Sequence, residues 1–357
     1  MKILGIETSF DETGVAIVEN GETILSQTLA SSASLHKKYG GVVPEIAARK
    51  QVELMIPVLT ETLNEISPQS IDAIAVTIGP GLIGSLLVGV ETAKTLAMVW
   101  NKPIIPVNHI HAHIYANFLM SDKKEVISEK KKDKKLITSH VSPITFPAIA
   151  LIVSGGHTEL FYMETEKQLK WIGGTVDDAA GECFDKIARL IGLESGGGPA
   201  LAAEATKFKI HLPANATHQA LQAGDSKFNI QLPRPMMHDG SFNFSFSGLK
   251  TALMRELKTH TEELPTFNFQ LTTYLAHEAQ EAITDVLVHK TLKAAQNYEA
   301  KSILLGGGVA ANEKLREKFQ IHDSKFQILA PLAALCTDNA AVVAACAYFL
   351  NEPIPWS

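Results

Sequence analysis

The feature that most constrains this chain is a plan used twice. Residues 2–6 form a short apolar run that enters a turn at 7–13, and 14–18 read as a second strand. Residues 148–153 also read as a strand, followed by the turn Ser154-Gly155-Gly156-His157-Thr158 and a strand at 159–163. Later in each half a strand runs into a glycine turn and then a helix. Residues 73–78 lead to Gly79-Pro80-Gly81, and 302–305 lead to Gly306-Gly307-Gly308. Strands alternating with helices predict layered mixed α/β structure. The correspondence reads as an internal duplication, without a residue-level period to mark it.

Between the early turns, Val52, Met55, Ile56, Leu59, Leu63 and Ile66 recur near the helical period, with Pro57 bending the helix locally. Further helices are predicted over 275–292 and 338–350. Residues 121–147 stand apart, with Lys123, Lys124, Lys130, Lys131, Lys132, Lys134 and Lys135 interrupted by acidic residues. Such a stretch reads as a solvated linker, or as a basic arm for nucleic-acid phosphates. The run Lys207-Phe208-Lys209-Ile210-His211-Leu212-Pro213 nearly recurs at 227–233, the mark of a duplicated hairpin or loop insertion.

With 357 residues, 46% hydrophobic and 20% charged, the composition is globular. A net charge of −6 argues against a surface that grips phosphate everywhere. Nucleic-acid contacts would have to be local or shared with a partner. Cys183, Cys336 and Cys346 form no CxxC pair, so a reducing cytoplasm is the expected home. The start meets Glu7, Asp11 and Glu12 too early for a secretory apolar region, and the run 340–350 is too short to span a bilayer. No membrane association is expected.

His109 and His113 are four apart, which on a helix places both imidazoles on one face where they can share a metal. His111 complicates this, because 109, 111 and 113 would also line one face of a strand; the plainer alternative is a polar loop of solvated histidines. Ile110 stands where a zinc protease of the HExxH type carries glutamate. Two histidines leave a metal under-coordinated. Asp338, at the predicted start of the last helix, is the best carboxylate to complete the set, and helix capping is its alternative role. Two histidines and one carboxylate suit iron(II) or zinc and leave positions open for substrate.

The turns at 79–81, 154–156, 196–198 and 306–308 allow backbone amides to approach a phosphate, and together they favour a nucleotide cleft over ordinary turns. Neither GxxxxGK[ST] nor GxGxxG is present. A helix starting at Asp177 would place Asp178, Glu182 and Asp185 on one face; Asp185 is then a candidate for ribose hydroxyls or a substrate amine, and an exposed acidic helix is the alternative. Asp11 and Glu12 lie in the first turn, where a carboxylate could face a cleft.

Taken in order, several segments resemble one family. Gly5-Ile6-Glu7-Thr8-Ser9-Phe10-Asp11-Glu12-Thr13 is similar to the GIETSCDET signature of the TsaD family, and Tyr39-Gly40-Gly41-Val42-Val43-Pro44-Glu45 matches YGGVVPE. Gly79-Pro80-Gly81-Leu82, Val153-Ser154-Gly155-Gly156-His157-Thr158, Asp177-Asp178-Ala179-Ala180-Gly181-Glu182 and Phe184-Asp185-Lys186 follow. Phe244-Ser245-Phe246-Ser247-Gly248-Leu249-Lys250, Gly307-Gly308-Val309-Ala310-Ala311-Asn312 and Cys336-Thr337-Asp338-Asn339 complete the series. The match spares only about 121–147 and 207–231.

This resemblance implies an α/β fold that is actin-like and Hsp70-like (ASKHA), with duplicated RNase H-like halves around a central nucleotide cleft. The implied layout is one half at 1–120, the Lys-rich linker or insertion at 121–147, a second half at 148–325, and a segment at 326–357 whose helix packs back across the cleft. The implied activity is transfer of threonylcarbamoyl from threonylcarbamoyl-AMP to N6 of adenosine 37 in tRNAs reading ANN codons, forming t6A. His109, His113 and Asp338 would hold one divalent ion, Fe(2+) first and Zn(2+) second. Ile152, Val153, Ser154, Gly155, Gly156, Asp185, Gly198 and Asn312 would hold the adenylate, and Asp11 and Glu12 are catalytic candidates. The expected partners are tRNA, a TsaB-like paralogue and a TsaE-like ATPase. Phe10 stands where the family commonly has cysteine, and His111-Ala112 where it has Glu-Gly. An actin-like ATPase or small-molecule kinase is the rival reading, and would leave the histidines idle.

Overall fold

The computed structural model describes residues 1–36, 39, 41–120, 143–193, 196–210, 230–263, 269–322 and 325–350. The first half builds a sheet from β1 (Lys2–Glu7), β2 (Glu12–Glu19), β3 (Thr23–Ser31), β4 (Ala73–Gly79) and β5 (Ile104–Asn108) in the order β3-β2-β1-β4-β5. The second half builds another from β6 (Ala148–Val153), β7 (Thr158–Thr165), β8 (Gln168–Gly174), β9 (Ser302–Gly306) and β10 (Gln327–Leu329) in the order β10-β9-β6-β7-β8. Read from the other edge, the second order repeats the first. In each sheet the founding strand pairs antiparallel with the next strand and parallel with a strand from much later in the half. The two halves are therefore RNase H-like copies, and the molecule has the duplicated actin-like, Hsp70-like architecture.

The founding strands are apolar without alternation because both faces are covered: Ile3, Leu4 and Ile6 in β1, and every residue of β6, are buried. Helix α1 (Ala33–His36) is a single turn. Helix α2 (Pro44–Leu63) buries Ala47, Gln51, Met55, Val58, Leu59 and Thr62. Val52 and Ile56, on the predicted apolar face, are exposed instead, and Ile66 lies beyond the helix. The polar Gln51 takes the inward position because its Nε2 donates to the carbonyls of Phe10 and Glu12 at 3.1 and 2.9 Å, clamping the turn after β1. Helix α3 (Ile83–Trp100) is long and apolar enough to cross a membrane by length and composition; here it packs on β4 and α2.

Helix α4 (His109–Tyr115) follows β5 directly, its first turn capped by Asn108, whose side chain accepts from the amides of Ile110 and His111. In the second half lie α5 (Ala180–Leu190), α6 (Gly197–Ile210), α7 (Ser247–Glu263), α8 (Phe269–Asn297), α9 (Glu313–His322), α10 (Ala333–Cys336) and α11 (Ala340–Phe349). The acidic stretch does not become helical at Asp177. Its carboxylate is occupied elsewhere, accepting from the hydroxyls of Ser245 and Ser247 and the amides of Phe246 and Ser247 at the start of α7, so α5 begins at Ala180. Helix α11 packs on β1, β2 and α4 of the first half, with residues 340–347 all buried. The Lys-rich run and most of the 207–233 near-repeat lie outside the described residues.

Candidate metal and substrate site

The parallel strands β1, β4 and β5 end along one edge of the first sheet, and loops at such an edge are where open α/β sheets place their ligands. His109 opens α4 there, and His113 follows one turn later on the same face. The ring planes meet edge-on, with centroids 4.7 Å apart and Nε2 atoms 3.3 Å apart. Both side chains are buried. The loop before α11 brings in Asp338, whose Oδ1 lies 3.7 Å from His109 Nε2 and 3.4 Å from His113 Nε2. Capping does not account for Asp338: α11 starts at Ala340, and Asn339 caps it by accepting from the Val342 amide.

One ligand atom from each of His109, His113 and Asp338 lies within 4.8 Å of the others. The two Nε2 atoms face one another at 3.3 Å, and with Asp338 Oδ1 beside them they can turn lone pairs toward one point once the proton between the rings is lost. Glu7 and Asp338 together carry two negative charges around these rings, matching one divalent ion. The donor set of two nitrogens and one oxygen suits iron(II) or zinc. The residues fit a metal.

The electrostatics agree. Burial opposes charging His109, yet the charges of Glu7 and Asp338 overcome it and lift its pKa to about 9. Burial alone would raise Asp338, but its hydrogen bond to His113 and the two imidazole charges bring it down to about 2. An ion entering would displace the His109 proton. His157, whose ring centroid is 6.4 Å from that of His109, is pushed down to about 4 by burial and then by the charges of His109 and His113. It is neutral at neutral pH. Glu12 is raised to about 8, by burial first and then by hydrogen bonding and repulsion from Asp11. Its Oε1 accepts from Ser31 Oγ at 2.9 Å.

The expected substrate residues fall on the second half. Ile152 and Val153 are the buried end of β6, and Ser154, Gly155 and Gly156 form the turn to β7. Ser154 accepts from the Gly181 amide through its carbonyl and from the His157 amide through Oγ, pinning that turn against α5. A Cβ at Gly181 would overlap this carbonyl, so the close approach requires glycine. Asp185 accepts from the Gly198 amide at 2.7 Å. Asn312 accepts from the Leu315 amide at the start of α9 and donates to Gln280. A cleft of about 160 Å³ opens beside His157, lined by Gly156, Thr158, Glu159, Trp171, Gly174 and Thr175. A nucleotide needs more room than that.

Sequence reasoning did not single out Glu7 or Thr77, which the fold places behind His109. Thr77 Oγ1 donates to Glu7 Oε2 at 2.6 Å, and the Ser9 amide donates to Glu7 Oε1 at 2.6 Å.

The comparisons with known proteins agree with one another. The family profile described as "TsaD: tRNA N6-adenosine threonylcarbamoyltransferase" matches residues 23–128 and 135–345. A Thermomicrobium roseum protein named tRNA N6-adenosine threonylcarbamoyltransferase is 44% identical over 99% of this chain and 92% of its own. A Bacillus subtilis protein of the same name is 44% identical over 97% and 89%. A crystal structure of T. kodakarensis HypF, 14% identical, superposes on 97% of this chain and 47% of its own with a TM-score of 0.54, a likeness of fold. With matches of that extent and identity along nearly its whole length, the chain belongs to the TsaD family.

Proposed function

We propose that this enzyme carries out the transfer for which its relatives are named, moving threonylcarbamoyl from threonylcarbamoyl-AMP to N6 of adenosine 37 in tRNAs that read ANN codons. The observation that carries the reading is the convergence of His109, His113 and Asp338 within 4.8 Å at the edge of the first sheet, in a chain of this family.

A mixed anhydride with AMP already has a good leaving group, whereas the adenine amine is a poor nucleophile because its lone pair is delocalised into the ring. Positioning and carbonyl polarisation are therefore the demanding parts. His109, His113 and Asp338 would hold iron(II) or zinc, which supplies Lewis acidity. The amides of Gly155 and Gly156 are the candidates for the phosphate, with Asp185, Gly198 and Asn312 holding the rest of the adenylate. His157, neutral above about pH 4, is an acceptor for the proton that the amine loses. Glu12 keeps its own proton at neutral pH and is a donor there, with Asp11 beside it. An anticodon-loop base is already unpaired, so presenting it costs less than extrusion from a duplex.

Partners belong to the same proposal. Helices α2 and α3 pack with Gly84 against Ala48, and they expose Val52, Ile56, Ile83 and Leu87. Large apolar side chains left in water on one helix pair support docking of a partner such as a TsaB-like paralogue. A TsaE-like ATPase completes the expected set.

The test is nucleoside analysis of tRNA after incubation with threonylcarbamoyl-AMP, with and without those partners. His109→Ala should abolish transfer and lower bound metal together. Full transfer by a metal-free His109→Ala protein would remove the metal from the reading, and no modified adenosine under any condition would remove the transfer.

A further inference from the structure

The site has a second layer, built from the first half alone. Glu7 is the last residue of β1, and its side chain is 1% exposed. Few acidic side chains are so deeply buried without a partner that uses the charge. The partners here are specific. Oε1 accepts from the Ser9 amide and Oε2 from Thr77 Oγ1, both at 2.6 Å, so the carboxylate is gripped from the turn after its own strand and from the neighbouring strand β4. The remaining direction of Oε2 faces His109 Nδ1 at 3.4 Å, and Ser9 Oγ lies 3.2 Å from the same nitrogen. Nδ1 thus looks back into the sheet, while Nε2 looks out toward His113 and Asp338. His113 has no such support: its Nδ1 is buried without a hydrogen-bond partner among the described residues.

We infer that Glu7, held by Ser9 and Thr77, is the positioning residue that keeps the Nδ1 proton of His109 on the inner side and so turns the Nε2 lone pair toward the ion. A metal-binding imidazole has its tautomer and ring orientation fixed by what the other nitrogen donates to, and a carboxylate in that place also makes the ring a stronger donor. The inference rests on the metal reading given above. It adds that the two histidines are unequal, with His109 the pre-set ligand and His113 the one whose Nδ1 no hydrogen bond fixes among the described residues.

The experiment uses the full chain in three forms: unsubstituted, Glu7→Gln and Thr77→Val. Cobalt(II), titrated by its visible absorption, reports affinity and coordination geometry. Nitrogen-15 spectra of histidine-labelled, metal-free protein report which nitrogen of His109 carries the proton, recorded above the pH at which the ring sheds its extra proton. Glu7→Gln should weaken cobalt binding by roughly 10–100-fold and mix the His109 tautomers. Thr77→Val, which removes one hydroxyl and keeps the shape, should move both readouts the same way by less, and it decides the matter should Glu7→Gln not fold. Unchanged cobalt affinity together with a single unshifted His109 tautomer in both variants would overturn the role of Glu7. Failure of cobalt to bind the unsubstituted protein would sink the metal reading, and the nitrogen-15 arm would then decide the role of Glu7 alone.

Discussion

A carboxyl that keeps its proton in the native state makes a protein less stable as pH rises, and Glu12 is such a group. Its folded pKa of about 8 lies above the ordinary value of 4.5, so between those limits the native chain binds a proton that the unfolded chain has released. The stability associated with Glu12 is fully present below about pH 4.5, declines through that window and levels off above about pH 8. Glu12→Gln should remove this slope. In urea unfolding the variant should gain on the unsubstituted protein between pH 5 and pH 9, and parallel profiles would contradict the assignment. At this scale the sequence was informative where chemistry follows spacing. The i, i+4 histidines and an aspartate beside a helix start could be read directly. Glu7 could not, because the end of an apolar strand carries no local sign that a lone acid will turn inward.

Elements were legible in proportion to how completely they are buried. The apolar runs of β1, β4, β6 and β9 stand out because both faces are covered. Strands β3 and β8 are half-exposed edge strands, and their mixed patterns did not announce themselves. The misplacement of the start of α5 has a similar cause, since the partners of Asp177 lie about seventy residues away, beyond local pattern. That interaction gives an expectation of its own. Asp177 supplies the acceptor that the first turn of α7 lacks, so Asp177→Ala should cost about 1–2 kcal/mol in denaturant unfolding. Asp177→Asn should recover part of the loss, and a neutral Asp177→Ala would show that α7 is capped by other means.

The duplicated plan was the most readable feature of the whole molecule, because repetition survives even where individual strands are ambiguous. What the sequence could not show is how tightly the last segment closes on the first. Gly5 sits under α11, where a Cβ would overlap the Ala340 carbonyl oxygen and approach the Ala344 amide to 3.0 Å. Ala340 lies two residues beyond Asp338, so the same contact fixes a proposed ligand. Gly5→Ala should therefore destabilise the chain by about 1–3 kcal/mol and weaken metal binding at the same time. A variant that loses stability but binds cobalt as before would separate the two roles.

Because the imidazoles sit on α4 and the carboxylate on the loop before α11, the proposed metal centre has no existence in a partly made chain. Synthesis is vectorial, so His109 and His113 must wait while most of the polypeptide is added before their oxygen ligand emerges. Capture of an ion by the full set would thereby be a late event in biogenesis, and a nascent chain stalled short of Asp338 would hold at most a two-nitrogen fragment that binds metal weakly.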